Sequence, residues 1–351
     1  MSKIIAYCLV RLNRLASTLN ESRPIKMFSR ILGEINIQNF HRLFLILTIE
    51  NPVEELRLAL RRAAKNITSS KHLWKPAFYI RDESVELNSS VNFLALTAHL
   101  FYEDYVEVLV EVVRKNPIIS KVFVTTTTNS MRQQLRAALG DLSVEHDVRV
   151  TANRGRNFGP LFTQFSKEIL EYKYFIHLHS KKSKHTRKAT ATDWSGRFWR
   201  QFGLDESLLN RTLAILETHS NIAISYPLVT DIIPPVSFAM HSNAKTCNDI
   251  LSKLGLRFEG DRFAFPAGGM FLARTQALQE LLQIDWRIED FPPELSQMDG
   301  TTQHALERLV GLVPSLGGFG HLIFDAQENS FTLDESFVED AILSRKTVSS
   351  E

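Results

Sequence analysis

Four short stretches of the chain carry side chains whose types and spacing suit chemistry on a phosphorylated substrate. The densest is His177-Leu-His-Ser-Lys-Lys-Ser-Lys-His185. Here His179, Ser180, Lys181 and Lys182 set an imidazole, a hydroxyl and two ammonium groups side by side. Such a set can hold a polyanion such as a diphosphate through charge-assisted hydrogen bonds, with no metal between. No acidic residue occurs from Tyr172 to Lys188, whereas a hard divalent cation calls for carboxylate oxygens. Read blandly, the same run is a basic surface loop.

The second stretch is Asn153-Arg-Gly-Arg-Asn-Phe-Gly-Pro160. Gly155 and Gly159 let the backbone turn sharply and approach a ligand, and Pro160 suits the first turn of a helix. A helix start offers free N–H groups and a positive dipole end to a phosphate, and Arg154 and Arg156 add fork-shaped donors. Asn153 and Asn157 flank them. The third stretch is Phe265-Pro-Ala-Gly-Gly-Met-Phe-Leu-Ala-Arg274, in which Gly268 and Gly269 lead into an apolar strand and could line a pocket with backbone amides. Small residues needed only for packing would look the same. The fourth contains Met298-Asp-Gly-Thr-Thr-Gln-His-Ala-Leu-Glu-Arg308. Asp299 stands at a helix entrance, where a carboxylate can serve as a base or simply cap the helix. His304 and Arg308, four apart, share a helical face.

These stretches need elements to position them. Val91–Ala98 is a short apolar run ending in His99; Tyr102–Arg114 has helical periodicity, with Tyr105, Val106, Leu109, Val110 and Val113 on one side. Lys121–Thr128, Asp147–Thr151, Tyr174–Leu178 and Ile222–Tyr226 read as strands, and Met131–Leu139, Leu161–Leu170 and Leu208–Thr218 as helices. The alternation predicts an α/β fold with a mostly parallel sheet and helices on both faces. Ligands of such sheets sit beyond the carboxyl ends of the strands. His99, Asn153–Gly159 and His179–His185 fall there.

The chain has 351 residues, 44% of them hydrophobic and 23% charged, an ordinary globular composition that can bury a sizeable core. Its two cysteines, Cys8 and Cys247, are far apart and form neither a disulfide framework nor a zinc motif, which fits a reducing compartment. The formal net charge is +2, yet residues 1–75 hold 13 Lys/Arg against 5 Asp/Glu, or +8, leaving −6 for the rest. This predicts a basic, mostly helical segment 1–75, a main domain 76–335 and a tail 336–351. Met1–Ser17 lacks a cleavage site, but Ile4, Ile5, Cys8, Leu9, Leu12 and Leu15 form one apolar helical face, suited to docking on the protein or to in-plane contact with a membrane. The run Leu43–Ile49 is far short of the roughly 20 residues needed to span a bilayer.

Taken in order, Asn153–Pro160, His179–Ser183, Gly268–Arg274 and Asp299–Arg308 resemble the rhamnan synthesis protein F family, over roughly Val91 to Phe324. Family members commonly carry Asp where this chain has Asn157. The resemblance implies a sugar transferase that builds rhamnose-containing surface polysaccharide; residues 1–75 lie outside it. The expected location is the cytoplasm, with peripheral contact at the inner face of the membrane the alternative that the apolar face of residues 1–17 offers. The resemblance also implies a GT-A-like nucleotide-sugar-binding fold in which His-Ser-Lys-Lys stands in for the usual Asp-X-Asp. A dTDP-rhamnose-like donor would meet His99 and Asn153–Asn157 on its nucleoside side, and Lys181, Lys182 and Arg154 or Arg156 at its diphosphate. Asp299 would take the proton of the acceptor glycan, itself free or lipid-linked, while Gly268, Gly269, His304 and Arg308 position donor and acceptor. The residues call for no cofactor and leave a divalent metal open.

Two other functions compete. A non-catalytic nucleotide-sugar- or glycan-binding scaffold of the same fold is favoured by the missing acidic pair and by Asn157. A nucleic-acid-binding role for Lys181–Lys188 is disfavoured, because the body is net acidic and no helix-turn-helix, zinc or aromatic-basic motif appears.

Overall fold

The computed structural model describes residues 78–79, 87, 92–180, 195–229, 233, 237–260, 263–294 and 299–334, all within one compact unit, Leu73–Glu351. The segment 1–75, the tail 336–351, and Lys181 and Lys182 lie outside the described residues, so the expectations placed on them are neither met nor contradicted.

Among the described residues nine strands form one sheet: β1 (Phe78–Tyr79), β2 (Leu94–His99), β3 (Lys121–Thr126), β4 (Glu145–Val150), β5 (Tyr174–His179), β6 (Ile222–Pro227), β7 (Phe271–Arg274), β8 (Gly320–Asp325) and β9 (Ser330–Asp334). Their order across the sheet is β1-β9-β8-β6-β7-β5-β2-β3-β4. Pairing is parallel for β4-β3-β2-β5 and for β6-β8; β7 runs against both of its neighbours, as does β9. The sheet is therefore α/β and mostly parallel in strand direction, as expected. β2 and β5 are buried along their whole length, as strands covered on both faces are, and bury Thr97, His99, His177 and His179 among apolar residues.

Seven helices matter to the argument: α1 (Val106–Lys115), α2 (Asn129–Gly140), α3 (Phe158–Gln164), α4 (Glu206–Thr218), α5 (Ala244–Lys253), α6 (Thr275–Leu282) and α7 (Thr302–Leu316). In α1 the buried face is Val106, Leu109, Val110 and Val113, joined by Val112, with Glu107 in the first turn and Arg114 and Lys115 in the last, complementing the helix dipole. Thr128, expected at the end of β3, instead caps α2, its hydroxyl accepting from the Met131 amide at 3.2 Å. Asp205 caps α4 likewise through Leu208. The helix expected over Leu161–Leu170 starts earlier, at Phe158, and breaks at Phe165, which leaves helical geometry before a single further turn, Ser166–Ile169. Pro160 sits in its first turn as expected. No helix among the described residues is long and apolar enough to cross a membrane.

From β2 the chain steps outward through α1, β3, α2 and β4, then returns past α3 to β5 on the other flank of β2. The strand order reverses between β2 and β5. A crevice opens beyond the carboxyl ends of two neighbouring strands at such a point, because their connections depart to opposite sides.

Candidate functional site

The crevice is lined from below by two histidines in register. His99 ends β2 and His179 ends β5, and they face each other as parallel partners, with Thr97 and His177 paired one step back. A strand alternates its faces, so Thr97, His99, His177 and His179 share one side of the sheet. His99 Nδ1 lies 2.9 Å from Thr125 Oγ1. Burial, and secondarily the neighbouring His179, pushes the His99 imidazole down to about 3, and burial first holds His177 well below the usual histidine range, so both rings are neutral.

Hydrogen bonding fixes the tautomer of His177. The Thr97 hydroxyl donates to the Ile176 carbonyl at 2.9 Å and therefore accepts from His177 Nδ1 at 2.9 Å. His177 Nε2 is left as an acceptor, and the Asn157 amide donates to it at 3.2 Å. The same amide donates to the Gly269 carbonyl at 3.2 Å. Asn157 is buried, 7% exposed, and thus positions the site from beneath.

The loop before α3 is bent by Gly155 (φ +71°) and Arg156 (φ +51°). A side chain on Gly155 would run into the Phe291 ring, and one on Gly159 into the Arg154 carbonyl. Arg154 donates through Nε to the Phe291 carbonyl at 2.8 Å and bridges to Pro293. Arg156 reaches Glu294 at 3.4 Å, and Gln303 holds the other oxygen of that carboxylate at 3.2 Å. Asn153 is exposed on the same loop.

The turn Gly268–Gly269, with φ of +111° and +74°, carries the peptide that joins β5 to α7. The Gly268 amide donates to Glu307 Oε1 at 2.7 Å, and the Gly268 carbonyl accepts from His179 Nε2 at 2.7 Å. The entrance of α7 is tied by its own network. Asp299 Oδ1 accepts from the Asn243 amide at 2.5 Å and lies 3.5 Å from Arg308. Asn243 accepts from the Gly300 amide at 3.0 Å. Arg308 is buried and donates to the carbonyls of Ala239 and His304, both at 2.9 Å. His304 Nδ1 bonds the Thr301 hydroxyl at 2.7 Å. Burial first, then Arg156, lowers the His304 pKa, opposed by Glu307 and Asp299. Thr301 occupies the cap position of α7, so Asp299 does not cap the helix; its carboxylate turns to Asn243 and Arg308.

The structure thus links Asn157, His179, Gly268 and Gly269 through direct bonds or one intermediary, and sets Arg156, Asp299 and Arg308 within electrostatic reach of His304. His99 lies on the adjoining strand end, and Ser180 bonds the loop that follows it. Sequence reasoning passes over His177, Thr97, Glu307 and Asn243. The two-residue spacing of His177 and His179 on one strand is a usable signal; nothing local marks Asn243, which lies 56 residues before Asp299. Among the described residues, no group of three or more His, Cys, Asp or Glu side chains could hold a metal ion.

Two curated relatives, the uncharacterized proteins WxcX of Xanthomonas campestris pv. campestris strains B100 and ATCC 33913, are 25% identical over 222 residues, which is 63% of this chain. The match spans 31% of each relative's length. The family model for rhamnan synthesis protein F matches residues 59–316, which takes in every element of the crevice. On that match the chain belongs to the rhamnan synthesis protein F family.

Proposed function

We propose that the chain is a glycosyltransferase that moves a sugar, rhamnose by family, from a nucleotide-linked donor to a growing surface polysaccharide. The observation that carries this reading is the convergence at the β2/β5 switch point of four separate segments. These are the strand ends with His99 and His179, the arginine loop 153–157, the Gly268–Gly269 turn, and the Asp299–Arg308 entrance of α7. A strand order with a reversed β7 inserted between β5 and β6 suits the GT-A-like sheet expected from the family.

In this mechanism the donor lies over the strand ends. Arg156, and Lys181 and Lys182, which follow Ser180 in the sequence, receive the departing diphosphate. Asp299 takes the proton of the acceptor hydroxyl as the new glycosidic bond forms at the anomeric carbon and the bond to the diphosphate breaks. Arg308, anchored by two carbonyls and 3.5 Å from Asp299, orients that carboxylate. Residues 1–17 would bring the enzyme to a lipid-linked acceptor.

One observation favours the second reading, a binding scaffold: the Asp299 oxygen is already engaged by Asn243 at 2.5 Å. Incubating the purified protein with dTDP-rhamnose and other nucleotide sugars, and following release of nucleoside diphosphate with and without glycan acceptor, separates the two. Acceptor-dependent release that Asp299→Asn abolishes supports transfer; donor binding with no turnover on any acceptor supports the scaffold.

A further inference from the structure

Phe101 is the one large apolar side chain that stands exposed among the described residues, at 46% of its full accessibility. A single exposed apolar residue is common and by itself means little. What sets this one apart is how its backbone is held. It lies two residues past His99, on the rim of the β2/β5 crevice. Its amide donates to Ser180 Oγ at 2.8 Å, and the Tyr102 amide donates to the same oxygen at 3.3 Å. The Leu100 amide donates to the Thr125 carbonyl at 2.9 Å, and the His99 carbonyl accepts from the Ser180 amide at 3.0 Å. Every peptide from His99 to Tyr102 is thus pinned to β3 or to the end of β5. The ring of Tyr102 packs edge-on against Phe101, centroids 5.2 Å apart at 80°, which steadies one edge and leaves a face open.

We infer that Phe101 is the stacking platform for the base of a nucleoside diphosphate, and that Ser180 is the residue that positions it. Resting on the donor reading above, this assigns the base to the β2 rim and the diphosphate to the arginine loop and the β5 end. A flat π surface held on a rigid loop costs little further ordering when a base lands on it. Stacking tolerates any base, so Phe101 supplies affinity for the nucleoside, with base choice left to other contacts.

The test is an equilibrium titration of the full chain with dTDP, UDP, GDP and inorganic pyrophosphate. Phe101→Ala should weaken the nucleoside diphosphates about tenfold and leave pyrophosphate unchanged. Phe101→Trp should keep the affinity and show indole fluorescence quenched on nucleotide addition but not on pyrophosphate addition. Ser180→Ala should copy the alanine variant in part. Nucleotide binding undiminished in Phe101→Ala, or no quenching in Phe101→Trp while nucleotide binds, overturns the assignment and leaves the transferase reading standing. Binding of neither nucleotide nor pyrophosphate to the unaltered chain overturns both.

Discussion

The side-chain amide of Asn157 lies 3.2 Å from Nε2 of His177, a ring buried to 1% exposure at the floor of the crevice. The amide needs both of its hydrogens, one for that nitrogen and one for the Gly269 carbonyl. Asn157→Asp should therefore replace two attractions with oxygen facing oxygen at Gly269 and oxygen facing a lone pair at His177. Leaving buried groups mispaired costs about 1–3 kcal/mol each, so a loss of about 2–5 kcal/mol is expected in a denaturant melt at pH 8. The loss should shrink at lower pH, where a proton can bridge the introduced carboxylate and His177; a melt with the same deficit at all pH values would refute the tautomer assigned here.

Gly269→Ala tests the same contact from the other side. Gly269 has φ +74°, and a Cβ there would meet Asn157 Nδ2 at 2.7 Å and the Phe158 ring at 3.0 Å. Left-handed backbone costs about 1–2 kcal/mol and overpacking about 1–3 kcal/mol, so a destabilisation of about 2–5 kcal/mol is expected by chemical denaturation.

Acid should unfold the protein early. His99 and His321 are buried with pKa values lowered to about 3 and about 4, and His177 is lowered well below the usual range, each chiefly by burial. The unfolded chain binds protons near pH 6.5 that the folded chain refuses, so stability is full above that pH and falls as pH drops toward the folded values. His99 and His321 should each remove about 2 kcal/mol by pH 5, and His177 acts in the same direction. His321 is far from the crevice, held by Tyr226 at 2.8 Å and Ser315 at 3.0 Å. His321→Gln should flatten the pH dependence of the melting temperature between about pH 7 and 5; an unchanged slope would contradict the account.

Much of the fold is legible in the sequence, because strands such as Lys121–Thr126 and Tyr174–His179 are β-branched or apolar through most of their length and α1 repeats its apolar residues every three to four positions. The reversal of β7 is not, since direction in Phe-Leu-Ala-Arg is set by pairing with β5 and β6 and leaves no trace in the four residues themselves. At the site, glycine and arginine types announce the 153–159 loop. The commitment of Arg154 to Phe291, 137 residues away, and of Glu307 to Gly268 depends on tertiary contacts that no local pattern encodes.

Asp299→Asn should keep the fold, because the amide retains an acceptor for Asn243 and Arg308 keeps its two carbonyl partners. Turnover should fall by about 10²–10⁴ with donor affinity preserved, the signature of a lost proton acceptor. A parallel loss of donor binding in calorimetry would assign Asp299 to the donor instead.

The proposed transfer rests on cationic side chains at the carboxyl rim of the sheet receiving the diphosphate of an activated sugar. Calorimetric titration of dTDP-rhamnose in the presence of a chelator, into the unaltered chain and into the Lys181→Ala/Lys182→Ala double variant, tests it most directly. The account predicts binding that survives the chelator and is at least about tenfold weaker in the double variant; equal affinity in both proteins, or binding that vanishes with the chelator, would contradict it.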